Sequence, residues 1–221
     1  MYLPAHFEES RSEVLHQLVR EQPLGLLITQ GADAALSANS IPFLLDPGPA
    51  PGLGTLIAHV ARANPLWREA RTDVESLVVF QGPQAYISPS MYPTKAATGK
   101  VVPTWNYVMV QARGHLRVMD DSTWVARLVE RLTAKHEATR PVPWQVSDAP
   151  ADYIATMHRA IVGIEITLTA LTGKWKMTQN RSAVDREGVV YGLREQARQR
   201  SDAQAEAMAA LVAQTAPPLS T

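Results

Sequence analysis

The chain has 221 residues, 46% of them hydrophobic and 19% charged, and its 21 Lys+Arg balance its 21 Asp+Glu. That size and apolar content specify one folded domain with short appendages and exclude a disordered chain. A formal net charge of zero argues against a main role in coating nucleic acid or an acidic membrane surface. The absence of cysteine excludes disulfides, thiolate zinc sites, iron–sulfur clusters and cysteine nucleophiles together, and fits a reducing compartment.

The opening Met1 to Glu9 has neither a basic n-region nor an apolar h-region, so no secretory leader is expected and the expected location is the cytoplasm. Ser10 to Glu13 has capping-box spacing, with Val14, Leu15, Leu18 and Val19 on one helical face after it. A first helix is predicted to end near Pro23. Segments 24–29, 35–45 and 55–60 are short, apolar and bounded by turn residues, and read as strands. The Pro- and Gly-rich interval 46–54 reads as a hairpin loop between neighbouring strands. Asn64-Pro65 supplies an N-cap with proline at the first helical position. Segments 75–80 and 84–88 then read as a second hairpin turning at Gly82-Pro83.

A long strand follows over 104–118, with a bend predicted at Gly114. Ser122 is the predicted cap of a helix whose Trp124, Leu128 and Leu132 share one face. Pro141, Pro143 and Pro150 punctuate the link to a short helix near 153–159, and a strong strand is predicted over 161–171. The most apolar stretch, Ile161 to Leu168, is broken by Glu165 and is far short of the roughly 20 residues that span a bilayer, so no membrane association is expected. Residues 193–211 are helical in composition, and the end, 217–221, is expected to fray. Strands outnumber helices. The predicted class is mainly β with peripheral helices (α+β), a closed or split antiparallel barrel.

Generic catalytic signatures are missing: no G-x-S-x-G, no phosphate-loop motif and no G-x-G-x-x-G after a strand. The six histidines show no metal-pair spacing. Three polar clusters stand beside strand ends instead. In the first, His59 to Pro65, a strand delivers Arg62 to a helix start, which suits an anion, although a plain cap with a surface arginine explains it as well. The second runs from Tyr86 to Lys95 and on through Val102 to Tyr107, where aromatics, hydroxyls and a lysine can hold a flat ligand or simply cover a core edge. In the third, Gly173 to Arg181, three cations and two amides follow a strand; a solvated basic turn is the simpler alternative.

Five stretches, Met1 to Phe7, His59 to Pro65, Tyr86 to Ser90, Val102 to Tyr107 and Lys174 to Arg181, together resemble the PaiB family of FMN-binding negative transcriptional regulators. The resemblance runs from residue 1 to about Leu193, which sets the expected organisation: an FMN-binding split-barrel domain over 1–193 and a C-terminal helical tail over 194–221. Met91 stands where the family usually has Trp, and Met177-Thr178 where it usually has Leu-Ser. The resemblance implies an antiparallel split β-barrel of the FMN-binding type, and a homodimer with FMN at the interface. It places Arg62 and Lys95 at the phosphate, with Ser88 and Thr104 as hydroxyl donors. His59, Ala61 and Asn64 would lie by the ring or ribityl chain, and Trp105 and Asn106 would flank the ring. Lys176, Gln179 and Asn180 would close the site from the partner subunit.

The family name implies regulation, yet the chain offers no helix-turn-helix, and its only basic stripe, Arg194, Arg198 and Arg200, is interleaved with acids. Any nucleic-acid contact is therefore expected to be indirect. The alternatives are an FMN-dependent oxidoreductase of the split-barrel class, with His59 and Tyr107 as acid–base candidates, and a flavin-free dimeric interaction module.

Overall fold

The computed structural model describes residues 1–48 and 52–215. Its strands are β1 (Glu8–Glu9), β2 (Leu24–Gln30), β3 (Leu36–Pro42), β4 (Leu44–Asp46), β5 (Thr55–Ala61), β6 (Glu75–Ile87), β7 (Thr104–Met119) and β8 (Ile161–Lys176). Its helices are α1 (Ser12–Glu21), α2 (Leu66–Glu69), α3 (Thr94–Thr98), α4 (Ser122–Glu137), α5 (Ala151–Arg159), α6 (Ala183–Arg200) and α7 (Ala203–Ala213). The strands form one sheet in the order β3-β2-β6-β7-β8-β5-β4, with β1 on β8, and the path ends on β3 and β4 without returning on itself. This is the mainly antiparallel α+β class expected. The chain divides into two compact units, residues 1–15, 81–110 and 172–221 in the first and residues 16–80 and 111–171 in the second.

In the second unit, β2 alternates as a half-buried strand must: Gly25, Leu27 and Thr29 point inward while Leu24 and Leu26 are exposed. It pairs with β3 from Leu24↔Pro42 to Gln30↔Leu36, and β5 pairs with β8 from Thr55↔Thr167 to Ala61↔Ile161. The core includes Leu27, Leu56, Val78 and Ile164, with Phe43 and Phe80 edge-to-face at 5.9 Å. Leu128 and Leu132 bury the inner face of α4 against Leu44 and Ile57, with Trp124 packed beside them. In the first unit, Ile87 and Tyr92 pack with Val189 and Leu193 of α6 and Met208 and Val212 of α7.

Several predicted boundaries are corrected. Gly82-Pro83 is not a turn: β6 runs straight through it. Pairing of β6 with β2 ends at Val79, so beyond that point Pro83 forgoes no ladder bond on that side. The single strand predicted over 35–45 is two, because the Phe43 amide leaves the ladder and donates to the Pro23 carbonyl at 2.8 Å. At α1 the carboxylate of Glu9, not Ser10, accepts the Arg11 amide at 2.9 Å. Asp121 rather than Ser122 caps α4, accepting the Trp124 amide at 2.7 Å. The last strand reaches Lys176, five residues past its predicted end. The C-terminal segment is two helices, since Ser201 turns left-handed at φ 53° and Asp202 starts α7 by accepting the amides of Gln204 and Ala205. The hairpin loop predicted over 46–54 does join antiparallel β4 and β5, although 49–51 lie outside the described residues, as does the predicted frayed end 217–221. Residue 193, the expected end of the flavin domain, falls inside α6.

Candidate functional site

The residues singled out by sequence fall into two groups, one in each unit. In the first unit, β7 shows strict period-two burial from Asn106 through Leu116, so Asn106 occupies a row otherwise filled by apolar or small residues. It is 1% exposed. Its Nδ2 donates to Thr178 Oγ1 at 2.6 Å, while its Oδ1 is buried with no hydrogen-bond partner. Thr178 holds φ at 66°, a conformation β-branched residues rarely adopt, and the Asn106 bond secures it there.

Lys176 is half-buried, and its Nζ donates to Thr104 Oγ1 and to the Trp105 carbonyl, both at 2.5 Å. Burial pushes its ammonium below the ordinary lysine value, and the neighbouring positive charge of Lys174 adds to that. Lys174 is itself buried, donates to the Tyr2 carbonyl at 3.0 Å, and lies 5.4 Å from the Tyr107 ring centroid. Neither lysine makes an ion pair among the described residues. Trp105 is exposed and stands edge-on to Tyr86 at 5.9 Å. Gln179 folds back on its own turn, donating to the Trp175 carbonyl and accepting the Met177 amide at 2.7 Å. Ser88 caps the following 3-10 turn by accepting from the Ser90 amide and hydroxyl, whereas Lys95 and Asn180 are exposed.

In the second unit the strand β5 carries His59 and Ala61 to the loop bearing Arg62 and Asn64. The Arg62 fork is filled: Nη1 and Nη2 clasp Asp120 at 3.0 and 2.6 Å, Nε donates to the Arg159 carbonyl, and Nη2 also reaches the Ile161 carbonyl. That hydrogen-bonded pair holds the Asp120 carboxyl below its usual range. A phosphate contact from Arg62 therefore competes with Asp120. Asn64 caps a helix of a single turn, its Oδ1 accepting the Leu66 amide at 3.0 Å and its Nδ2 donating to Asn39.

His59 Nδ1 and His158 Nε2 are both buried without partners. Burial pushes the His59 imidazole below its ordinary value, and repulsion from His158 adds to this. The unfolded chain, with a histidine near 6.5, thus binds more protons than the folded one in mild acid, so stability falls as pH drops below about 6.5. His59→Phe is expected to flatten that part of the acid limb. Urea midpoints at pH 7 and pH 5 for both chains check this, and an unchanged difference would assign the acid sensitivity elsewhere.

Sequence reasoning missed Lys174 as a site residue, and with it Tyr2. The available signal was the Lys174-x-Lys176 alternation, which puts both side chains on one face once the strand is extended through them. It also missed Asp120 and His158, whose sequence distance from Arg62 and His59 left no local signal. Among the described residues no three metal-ligating side chains are gathered, and no helix is long and apolar enough to cross a membrane.

Comparison with known proteins agrees with this picture. The family model "Putative FMN-binding domain" matches residues 1–170. An "Uncharacterized protein" of Emericella nidulans is 39% identical over 225 residues, covering 87% of this chain and 90% of that one. "Protease synthase and sporulation protein PAI 2" of Bacillus subtilis is 28% identical over 217 residues, covering 94% and 96%. Among solved structures, a "conserved hypothetical protein" of Mycobacterium tuberculosis superposes with a TM-score of 0.56 at 11% identity, over 82% of this chain and 94% of that chain. With the model spanning well over half its length, and the antiparallel split-barrel architecture shared, the chain belongs to the FMN-binding domain family that its PaiB-like motifs pointed to.

Proposed function

We propose that the chain binds FMN at the interface of a homodimer and acts as a flavin-linked negative regulator of transcription in the manner of PaiB-type proteins, with residues 1–193 as the flavin domain and 194–221 as its helical tail. The observation that carries the flavin reading is the buried, unpartnered Oδ1 of Asn106 on β7, together with Lys174 and Lys176 of the neighbouring β8, which make no ion pair among the described residues. A buried acceptor without a donor is costly, as is a buried cation without an anion. FMN offers the missing complements: N–H and hydroxyl donors, a phosphate dianion, and a planar ring suited to Trp105, Tyr86 and Tyr107.

In this reading Lys95 and Lys176, with the Ser88 and Thr104 hydroxyls, take the phosphate. Arg62 joins them at the cost of its Asp120 pair. Asn106 and Trp105 orient the ring, Gln179 and Asn180 close the turn beside it, and His59, Ala61 and Asn64 supply ring or ribityl contacts, the dimer contributing both sets of residues. Bound flavin would supply reversible hydride or electron transfer, a chemistry the side chains alone lack. The balanced net charge supports repression through a partner or metabolite rather than direct operator binding.

The purified protein is expected to show a flavin absorption spectrum, to release FMN on denaturation at about one per chain, and to elute as a dimer. A colourless protein that takes up no added FMN would remove the cofactor and leave a dimeric interaction module.

A further inference from the structure

The helices α6 and α7 of the first unit line a half-open cavity of about 640 Å³ in which no residue is assigned to FMN. It lies within residues 183–215, beyond the stretch matched by the family model. The two helices are antiparallel, joined at Ser201 and Asp202, so Val212 near the end of α7 sits by the start of α6 while Glu206 lies 3.9 Å from Arg194. Val190, Val212 and Ala213 give the cavity an apolar lining, and Tyr191, 69% exposed, supplies an aromatic wall.

Its charged lining is three guanidiniums against two carboxylates, Arg186, Arg194 and Arg198 against Glu187 and Glu206. Most of these are committed or solvated. Glu206 faces Arg194, Arg198 holds Glu195 at 2.6 Å, and Glu187 is exposed. Arg186 differs. It is only 7% exposed, and its one hydrogen bond among the described residues runs from Nη1 to the Arg181 carbonyl at 3.2 Å. No described carboxylate pairs with it. A buried guanidinium is costly without a counter-ion, and its planar fork matches a carboxylate bidentately. The cavity also has the volume of a small-molecule site, roughly 300–1,000 Å³.

We propose that this cavity binds a small monoanion with an apolar body, its carboxylate seated on Arg186 and its hydrocarbon part against Val190, Tyr191 and Val212. The inference does not depend on the flavin reading.

The test uses the full chain and decanoate as probe, measured by displacement of 8-anilinonaphthalene-1-sulfonate fluorescence, with decanol as the uncharged match. Decanoate is expected to bind at least tenfold more tightly than decanol. Arg186→Gln should weaken decanoate at least tenfold and bring it level with decanol, and Tyr191→Ala should weaken both probes about threefold. Equal affinity for the two probes overturns the proposal, as does decanoate binding untouched by Arg186→Gln. If Arg186→Gln does not fold, as judged by circular dichroism, the decanoate-to-decanol ratio and the exposed Tyr191→Ala site decide the matter, and unchanged binding in the latter overturns it. Decanoate binding found only in a chain shortened to end at Thr215 would assign the cavity to the chain's own C-terminal end and equally overturn it.

Discussion

Replacing Lys174 and Lys176 together with methionine is expected to lower FMN affinity at least a hundredfold while the thermal midpoint stays level or rises. Hydrogen bonds to charged groups contribute about 1.5–3 kcal/mol each, so losing the Lys176 contact with the phosphate costs up to about 3 kcal/mol of binding, and removing the neighbouring Lys174 charge adds to it. The fold gives up the lysines' bonds to the Tyr2 and Trp105 carbonyls and the Thr104 hydroxyl, and relief of the lysine–lysine repulsion offsets that loss. Lys176 is half-buried beside a second positive charge, and methionine fills a similar volume without that repulsion. The pH dependence separates this account from a simple packing defect. With its ammonium held below the ordinary value, Lys176 gives up its proton before a free lysine would, so FMN affinity in the wild type weakens on the alkaline side below pH 10.5. Over the same window the unfolded chain binds more protons than the folded one, and stability therefore rises with pH. The methionine variant lacks both trends. Quenching of FMN fluorescence on titration, repeated from pH 7 to 10, reads the affinity; a double variant that binds FMN as the wild type does would take these lysines out of the site.

Gly114→Ala is expected to destabilise the protein by about 3 kcal/mol or more, the largest loss from a single added methyl group in the second unit. A Cβ at Gly114 would fall on the Thr167 carbonyl oxygen and within 2.9 Å of Ile166 Cγ2. The first of these is backbone held in the β5–β8 ladder and cannot swing aside. At this glycine, where a bend was expected, β7 continues as a strand, and the missing side chain lets β8 approach. Gly163 has a related role, its Cβ position being occupied by the Trp124 ring. Equilibrium urea unfolding measures the cost, and a Gly114→Ala chain within 1 kcal/mol of the wild type would show that the two strands can part more easily than their packing implies.

Much of the fold was legible in local pattern. Short apolar segments bounded by turn residues marked β2 and β5, long apolar runs marked β7 and most of β8, and the Trp124/Leu128/Leu132 spacing marked the buried face of α4, because burial on one face imposes the period of the element that carries it. Where the reading erred, either a long-range partner overruled a local preference or a local cap went unread. Gly82-Pro83 reads as a turn by itself and became part of a strand, and residues 193–211 read as one helix and became two. The candidate site divides the same way. The types of group needed for a flavin, cations, amides, hydroxyls and aromatics, were present in the motifs, since chemistry is carried by residue identity. Their states were not. Asp120 closes on Arg62 across 58 positions, Lys174 lies among Tyr2 and Tyr107, and the Asn106 carbonyl oxygen is left without a donor. The amino-acid sequence by itself determined the family, the strand-rich class and the inventory of polar groups. Only the tertiary structure decided which of those groups are already paired and which remain buried and unmatched, because pairing and desolvation depend on neighbours that the chain brings together from far apart.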